Sequence, residues 1–213
     1  MGLGARLTFR KGTREDVEEL ARLHALCFSS GEHLATLLGG SFVRTMYRWF
    51  VTSDRCLTVC ACVNGEVVGF SIVCHGPYYS LLFRENLGQA LRALLGRPWV
   101  FFHPEILRRL FFSVCRRDEV SALLAKEPAA AIHALKAIRA DHRGTEVNRR
   151  LHAELVARCR ERGWKKLVAV LYRKNAAVRR SAAKNGYKEV VLPADSGKKV
   201  IAVLDLEEPA SKL

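Results

Sequence analysis

The sequence of 213 residues predicts an α/β (α+β) chain: a mixed central sheet flanked by helices, with a helical insertion between the third and fourth strands. Three observations predict it. Segments with apolar residues at helical spacing interleave with short apolar or alternating runs of strand length. Asn64-Gly65, set between two such runs, is the signature of a type I′ hairpin. Beyond residue 130 a strand, a glycine-bearing loop, a helix and a further strand follow in the order of a parallel β-α-β unit.

The elements follow in order. Residues 7–10 read as a short strand, and Thr13 with Asp16 can cap a helix carrying Val17, Leu20, Leu23, His24 and Cys27 on one face. Gly39-Gly40 breaks the chain before a second short helix at 42–51. Residues 56–63 and 67–74 are the hairpin strands. Within 77–128, Leu87, Leu91, Leu94 and Leu95 mark one amphipathic helix, and Pro104 starts another through Ile106, Leu107, Leu110, Phe111 and Val114. Trp99, Phe101 and Phe102 make the connection between them apolar. This insertion either packs near the mouth of a site or offers a surface to a membrane, a partner or a second copy of the chain. Residues 131–138 are a strand, 139–144 a loop, and 145–162 a helix with Val147, Leu151, Leu155 and Cys159 inward and Gly163 as its stop. A strand at 166–171 precedes a helix at 175–185 that starts on an Asn cap and stops at Gly186. Residues 187–192 and 199–206 pair around Asp195-Ser196-Gly197. With no repeat or low-complexity linker, residues 1–213 read as one domain.

Composition narrows the function classes. Hydrophobic residues are 49% and charged residues 26%, ordinary for a globular chain. No run approaches the roughly 18 apolar residues that span a bilayer, and the opening Met1 to Arg6 lacks the apolar core of a signal peptide. The expectation is a cytoplasmic protein; the terminal Ser211-Lys212-Leu213 matches a peroxisomal address and is the alternative in a eukaryote. The seven cysteines are odd in number and contain no Cys-x-x-Cys pair, which points to buried reduced thiols rather than a disulfide frame or a metal site. The net charge of +14 is concentrated between residues 143 and 184, the pattern of a phosphate-binding face. Aromatics interleaved with bases, the mark of a single-strand nucleic-acid binder, are not evident. Arg108, Arg109, Arg116 and Arg117 are the one basic cluster elsewhere, and they fit the polar side of a helix equally well.

The chemistry gathers where the strand ending at Ile138 turns through Arg143-Gly144-Thr145 into a helix. The first N–H groups of a helix have no intrahelical partner and carry partial positive charge, so they bind phosphates. Arg143, Arg149 and Arg150 add full charges around them. Many structural loops contain Arg-Gly, so by itself this is a weak pattern.

The order continues with Asn175 and, eleven residues later, Gly186-Tyr187. Together with Ile138 five residues before Arg143-Gly144, this resembles the acetyl-CoA-binding core of the GNAT superfamily of N-acetyltransferases. The resemblance covers roughly residues 7–74 and 130–206 and leaves the insertion outside. It implies a GNAT-like fold and an acyl-CoA-dependent N-acyltransferase using acetyl-CoA or another acyl-CoA. The acyl group would pass directly to the primary amine of a small molecule. It also implies that cofactor contacts fall on Ala137 and Ile138, on Arg143, Gly144, Thr145, Val147, Asn148 and Arg149, and on Asn175 and Arg179. The backbone around Ala137-Ile138 would polarise the thioester carbonyl. Three family positions are changed: two loop glycines fall on Glu146 and Asn148, and the tyrosine that protonates the departing thiolate falls on Ala182. A CoA-binding or interaction module without turnover is therefore one alternative, and an acyltransferase for a protein or RNA-associated acceptor another. For a base, His133 on the strand comes first and His75 at the end of the hairpin second, with His142 beside the loop third. A histidine satisfied by structural contacts is the competing reading. Lys136 stands out among apolar neighbours in the same strand, facing either an acidic acceptor or an exposed sheet edge.

Overall fold

In the computed structural model, residues 6–28, 34–76, 78–97, 127–190 and 199–208 are described. The second insertion helix from Pro104, the apolar link at 98–102, the cluster at Arg108–Arg117, the Asp195-Ser196-Gly197 turn and the terminal tripeptide lie outside them.

The chain begins with β1 (Leu7–Lys11), whose Arg10 reaches forward to Asp16 in a short turn of 3-10 helix, Arg14–Asp16. Helix α1 (Val17–Cys27) follows and lays Leu20, Leu23 and His24 on the sheet. Two short helices come next, α2 (Leu34–Leu38) and α3 (Gly40–Thr52). Gly39, at φ 95°, is the left-handed cap of α3 and Gly40 its first residue, so the glycine pair starts a helix as well as ending one. Strands β2 (Cys56–Val63) and β3 (Glu66–His75) form the expected hairpin, with Asn64 at φ 52° and Gly65 at φ 88° as a type I′ turn requires. The insertion opens with α4 (Tyr78–Glu85) and α5 (Leu87–Leu95). Only α5 is foreshadowed by a leucine stripe; α2 and α4 are too short to show a period.

Strand β4 (Ala130–Ile138) leads to helix α6 (Glu146–Glu161), then β5 (Lys166–Tyr172), α7 (Ala176–Lys184), β6 (Lys188–Val190) and β7 (Lys199–Asp205). The sheet runs β1-β2-β3-β4-β5-β7-β6, mixed as expected, with β4–β5 the parallel pair. One face is covered by α1 and α3 through Leu20, Leu23, Phe42, Tyr47 and Phe50 over Phe70 and Ile72. The other is covered by α6, whose Val147, Leu151, Leu155 and Cys159 lie over Val59, Val73, Ala131 and Leu167. A β-bulge sets which side chains of β4 face this helix. Ile72 pairs with Leu135 but Val73 with His133, so Ala134 is an extra residue in β4. The bulge reverses the alternation, and both His133 and Lys136 fall on the face that α6 covers, with Ala131 and Ile138.

Candidate functional site

Strands β4 and β5 pair only from Ala130–Lys166 to Ile132–Val168. Beyond that point β5 stays with β7 to Tyr172, and among the described residues the stretch 133–138 of β4 pairs with none on its β5 side. The Arg139 amide donates to the Val68 carbonyl (2.8 Å). By the alternation of an antiparallel ladder, the preceding pair Gly69–Ile138 turns its backbone groups away from each other. The Ile138 amide and carbonyl therefore face the open edge, whereas those of Ala137 face β3. Of the two residues expected to present a backbone amide, Ile138 is the one that does. Its carbonyl accepts from Arg143 Nε (2.9 Å) and from the Cys27 thiol (3.5 Å), and Arg143 Nη2 in turn donates to Cys27 Sγ (3.3 Å).

The loop leaves this edge through Ala140–His142 and reaches Gly144 at φ 76°, where a side chain would strain the backbone. Thr145 caps α6: its hydroxyl donates to the His142 carbonyl (2.7 Å) and accepts the Val147 amide (3.3 Å). Glu146 points along the outside of the helix toward Arg150 (3.7 Å), so its carboxylate is aimed away from the amides at the helix start. Arg149 is exposed. Asn148 donates to Ser181 Oγ (3.3 Å) and ties the first turn of α6 to α7. Asn175 caps α7 by accepting the Val178 amide (3.1 Å). Arg179 is engaged with Glu189 by two hydrogen bonds (2.7 and 2.8 Å) on the outer rim, away from the loop.

The histidines separate. His75 pairs with Ala131, at the start of β4, roughly seven residues or about 23 Å of strand from Ile138. Its Nε2 lies 2.8 Å from the Pro128 carbonyl and its ring stacks on Trp164 (6.3 Å). It lines an open depression of 590 Å³ with Asp54, Arg55, Arg162 and Trp164, remote from the loop. His142 holds Arg139 through Nε2 (3.1 Å) and keeps a buried Nδ1 without a partner. His133 is the first residue of β4 past the last pair with β5. Its Nε2 is 2.8 Å from Ser71 Oγ and its Nδ1 3.0 Å from the Tyr187 hydroxyl. Burial, then the nearby Lys136 and His152, hold its pKa well below the usual histidine value, so the ring is neutral at pH 7.

Ser71, His152 and Tyr187 complete this group, and sequence reasoning assigned no role to the first two. His152 lies on the inner face of α6, 3% exposed, its ring 5.7 Å from that of Tyr187. Burial and Lys136 lower its pKa to about 4 while the Asn185 backbone bonds to it. Its Nδ1 is buried with no partner. The Lys136 amino group is lowered to about 8 by burial. A histidine between Leu151 and Leu155 of a helix face was the signal available for His152. Among the described residues no cluster of three or more metal-ligating side chains is present, and no helix is long and apolar enough to cross a membrane.

No protein-family model and no curated protein matches the sequence. Solved structures do match in fold. The Paia N-acetyltransferase of Thermoplasma acidophilum in complex with coenzyme A is 13% identical, with a TM-score of 0.58, covering 94% of this chain and 99% of that one. The GNAT domain of S. lividans PAT is 16% identical with a TM-score of 0.58, covering 94% and 90%. The ribosomal-protein-S18-alanine N-acetyltransferase of Escherichia coli is 14% identical with a TM-score of 0.54, covering 98% and 99%.

Proposed function

We propose that this chain, which has the fold of the GNAT acetyltransferases, transfers an acetyl or other acyl group from acyl-CoA to the primary amine of a small molecule. One observation carries the reading. The open edge of β4 leads through the loop into the capped, arginine-flanked start of α6, so a backbone amide and a cluster of helix N–H groups come to the same end of the sheet. The residues fit an acyl-CoA: Gly144 leaves the backbone open to close approach, Glu146 is turned away, and Arg143 and Arg149 supply positive charge.

In this reading the amides of Thr145 and Asn148 hold the diphosphate with Arg143, Gly144 and Arg149, while the Val147 amide is taken by the Thr145 cap. Asn175 and the half-buried Asn148 border the pantetheine arm. The donor brings the acyl group as an activated thioester. The Ile138 amide polarises the thioester carbonyl, and lying on a rigid strand it needs no reorganisation as charge develops there. His133 accepts a proton from the attacking amine through the Ser71 or Tyr187 hydroxyl, since both its ring nitrogens are engaged. Arg179 is tied to Glu189 at the rim and His75 lies at the other end of β4, so neither takes part in the transfer in this reading. A protein amino terminus as acceptor is a second reading, favoured by the likeness to an enzyme whose name specifies a ribosomal-protein alanine.

The test is calorimetric titration of the chain with acetyl-CoA and CoA, followed by thiol release over pools of small amines and of peptides. Micromolar binding that Arg143→Glu weakens at least tenfold, with the circular dichroism unchanged, supports the cleft. No binding, or binding indifferent to Arg143→Glu, removes it. Release with peptides alone selects the second reading.

A further inference from the structure

The α6 side of the splayed strand holds a group of polar side chains with an unusual charge balance. Lys136 stands two residues before Ile138, opposite Ser71 in the register. His133 shares its strand and face, His152 faces it from α6, and Tyr187 from the segment after α7 completes the group. The neighbouring positions on this face are Ala131, Leu167, Ala169 and Ala182. Among the described residues no carboxylate and no hydrogen-bond partner meets the Lys136 amino group. A part-buried ammonium without a counter-ion is costly, and proteins ordinarily avoid it by pairing or exposure. The buried, unpartnered Nδ1 of His152 is a second polar atom here that the fold leaves open.

We infer that this carboxylate-free group is the seat of the sulfur that departs from the acyl donor, and that Lys136 is its proton donor. The inference rests on the reading of the cleft as an acyl-CoA site. The chemistry balances. An alkylammonium acceptor gives up two protons as its nitrogen forms the C–N bond and the C–S bond breaks, with the sulfur taking the electron pair. The Lys136 ammonium protonates that sulfur and is restored by one of the two; the other rests on His133 before leaving to solvent. The amide product and the free thiol result, and no oxidant or further reactant is needed. Lys136 suits this role because an ammonium lowered to about 8 by burial nearly matches a thiol near 8.5, whereas an exposed lysine near 10.4 would hold its proton more tightly. His152 is neutral at this pH, and His133 is neutral until it takes the second proton, so the Lys136 ammonium is the cation beside the departing sulfur. Ala182 on α7, at the place where the resemblance expects a proton-donating tyrosine, offers only a methyl group to this face.

The experiment reads binding, not turnover. CoA carries an ionisable thiol and acetyl-CoA does not, so the ratio of their affinities reports stabilisation of the thiolate. In calorimetric titrations from pH 7 to 9.5, the wild-type ratio is expected to rise toward CoA by about twofold to a maximum near pH 8, where the Lys136 ammonium and the thiolate coexist, and to fall again by pH 9.5. Lys136→Met should leave acetyl-CoA affinity within a factor of about two and flatten the ratio. Lys136→Arg, which stays charged throughout, should replace that maximum by a rise of up to about tenfold that persists to pH 9.5, equivalent to one unit of depression in the bound thiol. A ratio that is flat with pH in the wild type, or that persists in Lys136→Met, overturns the inference and leaves the cleft standing. Failure of both ligands to bind the wild type overturns both.

Discussion

Asp16 accepts from both terminal nitrogens of Arg10 (2.6 Å each) and from the Thr13 amide (2.8 Å), with its side chain only 7% exposed. Burial alone would raise its pKa, but Arg10 and Thr13 outweigh it and hold the carboxyl below its usual value. Asp16→Asn keeps the shape and removes the charge. Hydrogen bonds to charged groups contribute roughly 1.5–3 kcal/mol, and the half-exposed Arg10 places this one near the lower end. A loss of about 2 kcal/mol is expected, read as a fall in Tm of roughly 4–8 °C for a chain of this size. A depressed carboxyl contributes stability above its unfolded value near 3.9 and loses it as the pH falls through the folded value. The wild-type and Asp16→Asn melting curves should therefore converge as the pH falls below about 3.9 and through the lowered folded value. Thr13 and Asp16 were legible in the sequence as a helix start; Arg10 as their partner was not, because nothing local ties β1 to the turn.

At the scale of elements, the site is governed by how β3 and β4 lie against each other. A Cβ on Gly69 would come within 3.0 Å of the Ala137 carbonyl oxygen and 3.1 Å of Ile138 Cγ1. Gly69→Ala must push the strands apart at the residue whose amide faces the cleft. Overpacking of this kind costs about 1–3 kcal/mol, and CoA affinity should fall with it, measurable by urea unfolding and calorimetry on the same variant. Gly88→Ala in α5 meets nothing within 4 Å and should raise stability by up to about 1 kcal/mol. Much of this layer was readable beforehand. Asn64-Gly65, the Thr145 and Asn175 caps and the Gly163 and Gly186 stops each carry local chemistry that demands one backbone shape. The extra residue at Ala134 carries none. Strict alternation would set His133 and Lys136 on opposite faces; the bulge joins them on one. The loop and its helix could thus be named from spacing, while Ser71, Lys136, His152 and Tyr187 meet only through contacts between β3, β4, α6 and the segment after α7.

For the molecule as a whole, the α6 side of the sheet holds buried histidines whose protonation links stability to acid. On the α1 side the described buried histidine is His24, whose ring bonds to Tyr47 (2.9 Å) and Thr36 (2.8 Å). The α6 side buries His133 and His152 in neutral form beside Lys136. In the folded chain burial chiefly, with Lys136, holds His152 to about 4, whereas in the unfolded chain it titrates near 6.5. Above pH 6.5 both states are neutral and the group has no effect on stability. As the pH falls below that, the unfolded chain takes up a proton that the folded one refuses, so stability declines until about pH 4. At 1.36 kcal/mol per unit, His152 accounts for about 3 kcal/mol of this loss. His133, depressed in the same direction, adds to it. The decline comes at a higher pH than the loss from Asp16, which lies below about 4, so the two are separable in one titration. Urea midpoints measured from pH 8 to 4 should fall through the histidine window in the wild type. In His152→Leu, which keeps an apolar side chain between Leu151 and Leu155, the slope through that window should roughly halve. An unchanged slope would mean that the ring takes up its proton in the folded state, and that the α6 face admits charge as readily as water does.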